Sequence, residues 1–141
     1  MKKPHKYTQK TPISDLSYSD KRALALRVFR WCKSNMGVNM RNPFAISLSV
    51  VKNHYEPKTY GAFDAEINEL ILYYNNVKSL KVLITTIIHE YQHSLQPIKT
   101  RYEVYYKKYG YWKNPLEVEA RNAEKKYFKE VLAYLNKTNK K

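Results

Sequence analysis

The sequence predicts an α+β domain: a small antiparallel or mixed sheet with an N-terminal helix, a central helix and a C-terminal helix gathered to one side of it. Three observations carry this. Apolar residues recur at steps of three and four in three separated segments, they alternate with polar ones in short segments between the first and second of these, and 141 residues accommodate one core but not two.

The first helix runs over about residues 20–35, with Ser17 or Ser19 as its cap, Leu24, Val28, Trp31 and Cys32 along one face, and Gly37 as its stop. Strand periodicity follows at residues 45–51, where Ile46, Leu48 and Val50 alternate with Ser47 and Ser49, and again in residues 59–65 and 69–74. Ser79 then opens the central helix, whose stripe Leu80, Leu83, Ile84, Ile87 and Ile88 continues to Leu95 and is broken by Pro97. Residues 98–114 are rich in tyrosine and lysine and are expected as a poorly regular loop, with Tyr102, Tyr105, Tyr106, Tyr109 and Tyr111 packing it down. Asn114 and Pro115 mark the entry to a last helix over about residues 116–135. No repeat or linker interrupts the chain, so residues 17–136 form the expected domain, with a basic, flexible tail at 1–16 and a second basic tail at 137–141.

Composition narrows the class. Hydrophobic content of 43% with 14% aromatics excludes a wholly disordered chain. Cys32 is the lone cysteine, so neither an intrachain disulfide nor a cysteine metal cluster can form, which suits a reducing compartment. The N-terminal lysines precede no apolar run, and the longest such run, residues 82–88, is interrupted by Thr85 and Thr86. Neither a signal peptide nor a membrane span is expected, and the location expected is cytoplasmic or phage-associated. The net charge of +14 is uneven: eleven Lys and Arg against Asp15 and Asp20 leave +9 over residues 1–55, and the remainder carries +5. Such an excess attracts nucleic acid or other polyanions, and equally serves to solubilise a surface.

Chemistry concentrates at His89-Glu90-Tyr91-Gln92-His93, an H-E-x-x-H motif inside the central helix. Residues four apart on a helix return to one face, so both imidazoles can reach one metal ion while Glu90 lies beside the reacting water. A catalytic zinc takes three protein ligands, so one more is needed. No His follows His93 and no Asp follows Asp64, leaving Glu103, Glu117, Glu119, Glu124 and Glu130 downstream, and this excludes the metzincin pattern. Glu117 and Glu119 are favoured because they open a long helix able to cross the central one. On the helical wheel of the stripe Ala120, Ala123, Tyr127, Val131 and Leu135, Glu117 and Glu124 lie nearer the centre than Glu119 does. His5 and His54 have no partner at metal spacing, and Trp31 and Cys32 are expected in the core.

H-E-Y-Q-H followed by N-P-L-E-V-E-A-R-N resembles the gluzincin zinc metallopeptidases, and is most similar to compact bacterial and phage zincins including the ImmA/IrrE-type peptidases. The likeness covers about residues 59–127. It implies a zincin-like fold, one zinc per chain, and a Glu followed by Ala on the downstream helix as third ligand. That places Glu119, before Ala120, in the role, with Glu117 as the runner-up. Thermolysin-like members carry an Asp four residues after the ligand, where this chain has Ala123, so Asn122 or Glu124 would have to orient a ligating His instead.

The reaction so implied is peptide-bond hydrolysis with Glu90 as general base. An extended polypeptide substrate would add to an edge strand at residues 70–74, namely Leu70, Ile71, Leu72, Tyr73 and Tyr74. The tyrosines Tyr102, Tyr105, Tyr106, Tyr109 and Tyr111 are a pool from which an oxyanion stabiliser could be drawn, with Tyr109 and Tyr111 as the candidates. Two alternatives stand beside this reading: a basic protein binding nucleic acid through its N-terminal portion and residues 99–113, and a zinc-holding module without activity.

Overall fold

The structure is a computed structural model and describes residues 6–42 and 44–138. Among them lie four helices and three strands: α1 (Tyr18–Met36), β1 (Ser47–Val51), β2 (Gly61–Asp64), β3 (Glu69–Tyr73), α2 (Leu80–Ser94), α3 (Ile98–Lys113) and α4 (Pro115–Thr138). The α+β class is as expected. No helix of the described residues is long and apolar enough to cross a membrane.

Local chemistry sets most boundaries. Ser17 Oγ accepts from the backbone N–H of Asp20 at 3.1 Å to start α1, and Gly37, with φ 90°, ends it in a conformation that side chains resist. Ser79 Oγ accepts from Val82 N–H at 3.2 Å to start α2. Asn68, at φ 53°, turns β2 back into β3.

The sheet is mixed, in the order β1-β3-β2, with β1 parallel and β2 antiparallel to β3. The middle strand is therefore β3, not an edge, which overturns residues 70–74 as the strand open to substrate. Its Leu70 and Leu72 are fully buried, and a strand so covered takes the central place. The open edges belong to β1 and β2.

Helix α2 is the centre of the core. Leu80, Leu83, Ile84, Ile87, Ile88 and Tyr91 are all fully buried, packed by the sheet, by α1 through Leu24, Val28 and Phe29, and by α4 through Ala123, Val131 and Leu135. Trp31 and Cys32 belong to the same core, as their spacing predicted.

Two segments differ from expectation. The described part of the N-terminal stretch is no flexible tail: Tyr7 and Ile13 are buried in the core, Ile13 N–H donates to Lys78 O at 3.0 Å, and Thr11 O accepts from Leu80 N–H at 2.9 Å. Asn136 clamps the other end, its Oδ1 accepting from Tyr7 N–H at 2.6 Å and its Nδ2 donating to Tyr7 O at 2.9 Å. Residues 1–5 and 139–141, the outer parts of the two expected tails, lie outside the described residues. Residues 98–113 are helical rather than irregular. Ile98, Tyr102, Tyr105 and Tyr109 do recur at helical steps, but α3 starts without a side-chain cap, buries no residue and is broken at Gly110 (φ 77°), so its pattern reads weakly.

Candidate metal centre

Helices α2 and α4 bring the site together. His89 and His93 lie one turn apart on α2, with ring centroids 4.9 Å apart. Glu117 and Glu124 lie two turns apart on the face that α4 turns toward α2. The His89 and His93 Nε2 atoms both face Glu117 Oε1, at 2.9 and 3.0 Å, and His89, His93 and Glu117 form the group able to hold one metal ion among the described residues.

Glu117 therefore replaces Glu119 as the carboxylate of the cluster. Two residues along a helix is a rotation of about 200°, so the two glutamates leave α4 in nearly opposite directions and only one of them reaches the pair of imidazole nitrogens. Glu117 is the buried one. Glu119 is exposed and accepts from the side-chain amides of Gln92 and Gln96, each at 2.9 Å. The helical wheel pointed to this outcome, whereas position before an alanine did not.

The outer nitrogens of both rings are fixed as well. His89 Nδ1 lies 2.6 Å from Glu124 Oε2, and a carboxylate only accepts, so the Nδ1 proton lies there. His93 Nδ1 lies 2.6 Å from Gln96 Oε1. The Gln96 amide is oriented by its Nε2, which donates to Leu116 O at 3.0 Å and to Glu119 Oε1, so Oε1 is left to accept from His93. With both protons on Nδ1, the two Nε2 lone pairs and the Glu117 carboxylate converge as three acceptors. Such a set fits a cation.

A proton answers the same need. Burial disfavours the His89 imidazolium, but hydrogen bonds to Glu117 and Glu124 outweigh burial and lift it to about 10. Burial likewise raises Glu117, yet hydrogen bonds from His89, His93 and Tyr102 hold its carboxyl well below the usual carboxylate range. The Tyr102 hydroxyl donates to Glu117 Oε2, leaving Oε1 for the imidazoles. Asn114 supports this arrangement: its Nδ2 donates to Tyr102 O at 3.2 Å while its Oδ1 accepts from Leu116 N–H at 3.0 Å at the start of α4.

Glu90 stands beside the cluster. Burial pushes its carboxyl up and Glu117 and Glu124 reinforce the rise, while His89 and His93 oppose it. Two clefts of about 380 and 330 Å³ meet here, and His89, Glu90 and Tyr111 line both. One wall of each is β2 or its approach, with Thr59, Tyr60 and Gly61 in the first cleft and Ala62 and Phe63 in the second. The open strand edge at the site is thus that of β2. Gly61 permits its close seating on α2, because a Cβ there would lie 2.6 Å from Thr86 Cγ2 and 2.8 Å from Ile71 O.

The other expected residues divide. Glu124 holds His89, as one of the two replacements for the missing Asp, but Asn122 is exposed and outside the cluster. Tyr111 reaches the clefts; Tyr109 is exposed and packs on Tyr105, their rings 6.2 Å apart. Gln96 and Tyr102 gave no spacing signal that would have singled them out. No protein-family model, curated protein or solved structure returns a match to this chain.

Proposed function

We propose that this protein is a zinc-dependent metallopeptidase, the activity implied by its likeness to gluzincins. The observation that supports it most is the convergence of His89 Nε2, His93 Nε2 and Glu117 Oε1 beside Glu90 in an open cleft. Two imidazoles and one carboxylate suit zinc.

Each side chain then has a task. His89, His93 and Glu117 hold the ion, Glu124 and Gln96 keep both Nε2 atoms free of protons, and Tyr102 orients the Glu117 carboxylate. Zinc bound there supplies Lewis acidity, polarising a carbonyl and acidifying water. Glu90 takes the proton of the attacking water on its carboxylate and delivers it to the departing amine; its raised proton affinity suits both halves of that exchange. Tyr111, kept protonated by burial and by the nearby Glu117 and Glu90 carboxylates, offers a hydroxyl donor to the developing oxyanion. A polypeptide in extended form adds to the β2 edge by main-chain hydrogen bonds.

The test pairs metal content with hydrolysis. The purified protein should carry about one zinc per chain by mass spectrometry and cleave an unfolded protein such as casein. Glu90→Gln should keep the zinc and lose at least about 100-fold in rate. Zinc retained with no hydrolysis in either protein would leave a zinc-holding module, and no zinc after loading would overturn the whole reading.

A further inference from the structure

Helix α3 does little of what a core helix does. None of its sixteen residues is buried. Its partly covered side, with Ile98, Tyr102 and Tyr105, leans on the cleft and α4, while Val104, Tyr106, Tyr109 and Trp112 are exposed. Single exposed apolar residues are ordinary, but these four, with Tyr111 at the clefts as a fifth, need a reason on one sixteen-residue helix.

The charge of α3 is one-sided as well. Lys99, Arg101, Lys107, Lys108 and Lys113 face Glu103 as the only acid within the helix. Lys107 pairs with Glu103 at 3.4 Å and Lys99 with Glu66 at 3.8 Å, both pairs well exposed and hence weak. Arg101, Lys108 and Lys113 form no ion pair among the described residues. Cations are interleaved with rings, Lys108 Nζ lying 5.2 Å from the centre of the Tyr109 ring.

Trp112 is held in place despite its exposure. Gly110 breaks the helix just ahead of it, Arg121 donates to its carbonyl oxygen, and the Arg121 guanidinium lies 4.9 Å from its ring centre. An indole fixed on one side and open to solvent on the other loses little freedom when a flat partner stacks on it.

We propose that the exposed surface of α3 binds single-stranded nucleic acid, with Arg101, Lys107, Lys108 and Lys113 on phosphates and Tyr106 and Trp112 stacking on bases. The surface does not depend on the metal centre or on peptidase activity. Charge complementarity selects a polyanion, and rings among the cations select one with unpaired flat bases: a duplex keeps its bases stacked inside, and an acidic peptide leaves the rings unused. From Arg101 to Tyr109, ahead of the break at Gly110, the helix rises about 12 Å, room for a few nucleotides.

Trp112 makes this testable in the full chain. It is 72% exposed whereas Trp31 is 7% exposed, so quenching of tryptophan fluorescence by an oligothymidylate of about 20 nucleotides reports on α3. We expect quenching together with binding seen by anisotropy of the labelled oligonucleotide, with affinity falling as salt rises by about 0.7 log units per log unit for each phosphate contact. Lys107→Glu with Lys108→Glu should weaken binding at least tenfold and flatten that slope by about 1.4. Tyr106→Ala should weaken it at least threefold and leave the slope alone. Zinc content and circular dichroism of these variants should match the parent, since none of these side chains is buried or touches the metal centre. Binding without quenching, equal affinity and quenching with a DNA duplex or polyglutamate, or a folded charge-reversed variant that binds like the parent would each overturn the proposal.

Discussion

His89 of α2 and Glu124 of α4, thirty-five residues apart in sequence, meet at 2.6 Å through Nδ1 and Oε2. That contact fixes which ring nitrogen of His89 is free to bind a cation. Removing an outer partner of a metal-ligating histidine typically costs 10- to 100-fold in metal affinity. Glu124→Ala is therefore expected to lower zinc affinity by about that factor, measured by competition with a chromophoric chelator. Glu124→Gln keeps an acceptor oxygen and should fall between the two.

Glu117 and Glu119 separate the two readings of the third ligand. Glu117→Ala removes the carboxylate facing both Nε2 atoms and should abolish stoichiometric zinc after gel filtration. Glu119→Ala removes only an acceptor for Gln92 and Gln96, one contact behind His93. It should keep about one zinc per chain with a loss of affinity below about tenfold, the lower end of such outer effects. Mass spectrometry of the two variants decides the question, and the reverse pattern would restore Glu119.

Much of this site was legible, and the misses have physical causes. The two histidines and Glu90 follow from spacing on one helix, where local geometry determines which side chains share a face. Choosing the third ligand needs the rotation of α4 about its own axis, which its apolar stripe encodes: Ala120, Ala123, Val131 and Leu135 are buried, and Glu117 and Glu124 ride with them. A neighbouring-residue pattern carries no such information. Strand order was not legible either, because Leu70 and Leu72 mark a buried face without saying which neighbours pair with β3. Helix α3 was missed because it buries nothing, and burial is what writes a helical period into a sequence. Gln96 and Tyr102 act through contacts between elements, and no local pattern foreshadows those.

Cys32 offers a probe of folding. Burial pushes its thiol up to about 12, with a smaller opposing effect from a backbone hydrogen bond. The neutral thiol is thus favoured in the folded state, and this contribution to stability is fully present below the thiol's ordinary value of 9.0 and lost as pH rises toward about 12. At pH 8 the thiol should resist a soluble disulfide reagent in the native protein and react at once in denaturant. Labelling at the same rate in both would show that α1 does not shield it.

Gly61 should resist substitution. In Gly61→Ala the new methyl group meets Thr86 Cγ2 and the Ile71 carbonyl, so either β2 moves off α2 or the sheet shifts. Overpacking of this kind costs about 1–3 kcal/mol, readable as a lower urea midpoint. Thr86→Ser removes only one of the two obstacles, and the double variant should recover part of the loss. Because Gly61 also lines the cleft with Glu90, casein hydrolysis should fall further than stability alone would require.

The N-terminal stretch makes the last prediction, because it is where charge misleads most. Lysines mark residues 1–16 as a solvated tail, yet Ile13 is fully buried and its backbone pairs with that of Lys78 just before α2 begins. The segment therefore closes the core beside the cap of the helix that carries both histidines. Ile13→Ala leaves a cavity there and should cost about 2–4 kcal/mol, whereas Lys10→Ala, on an exposed turn, should change stability by less than about 0.5 kcal/mol. Chemical denaturation of the metal-free protein measures both. If the two variants unfold alike, the segment does not pack as described; if only Ile13→Ala is destabilised, zinc should restore part of its stability, because ligand binding to the folded state adds to whatever packing remains.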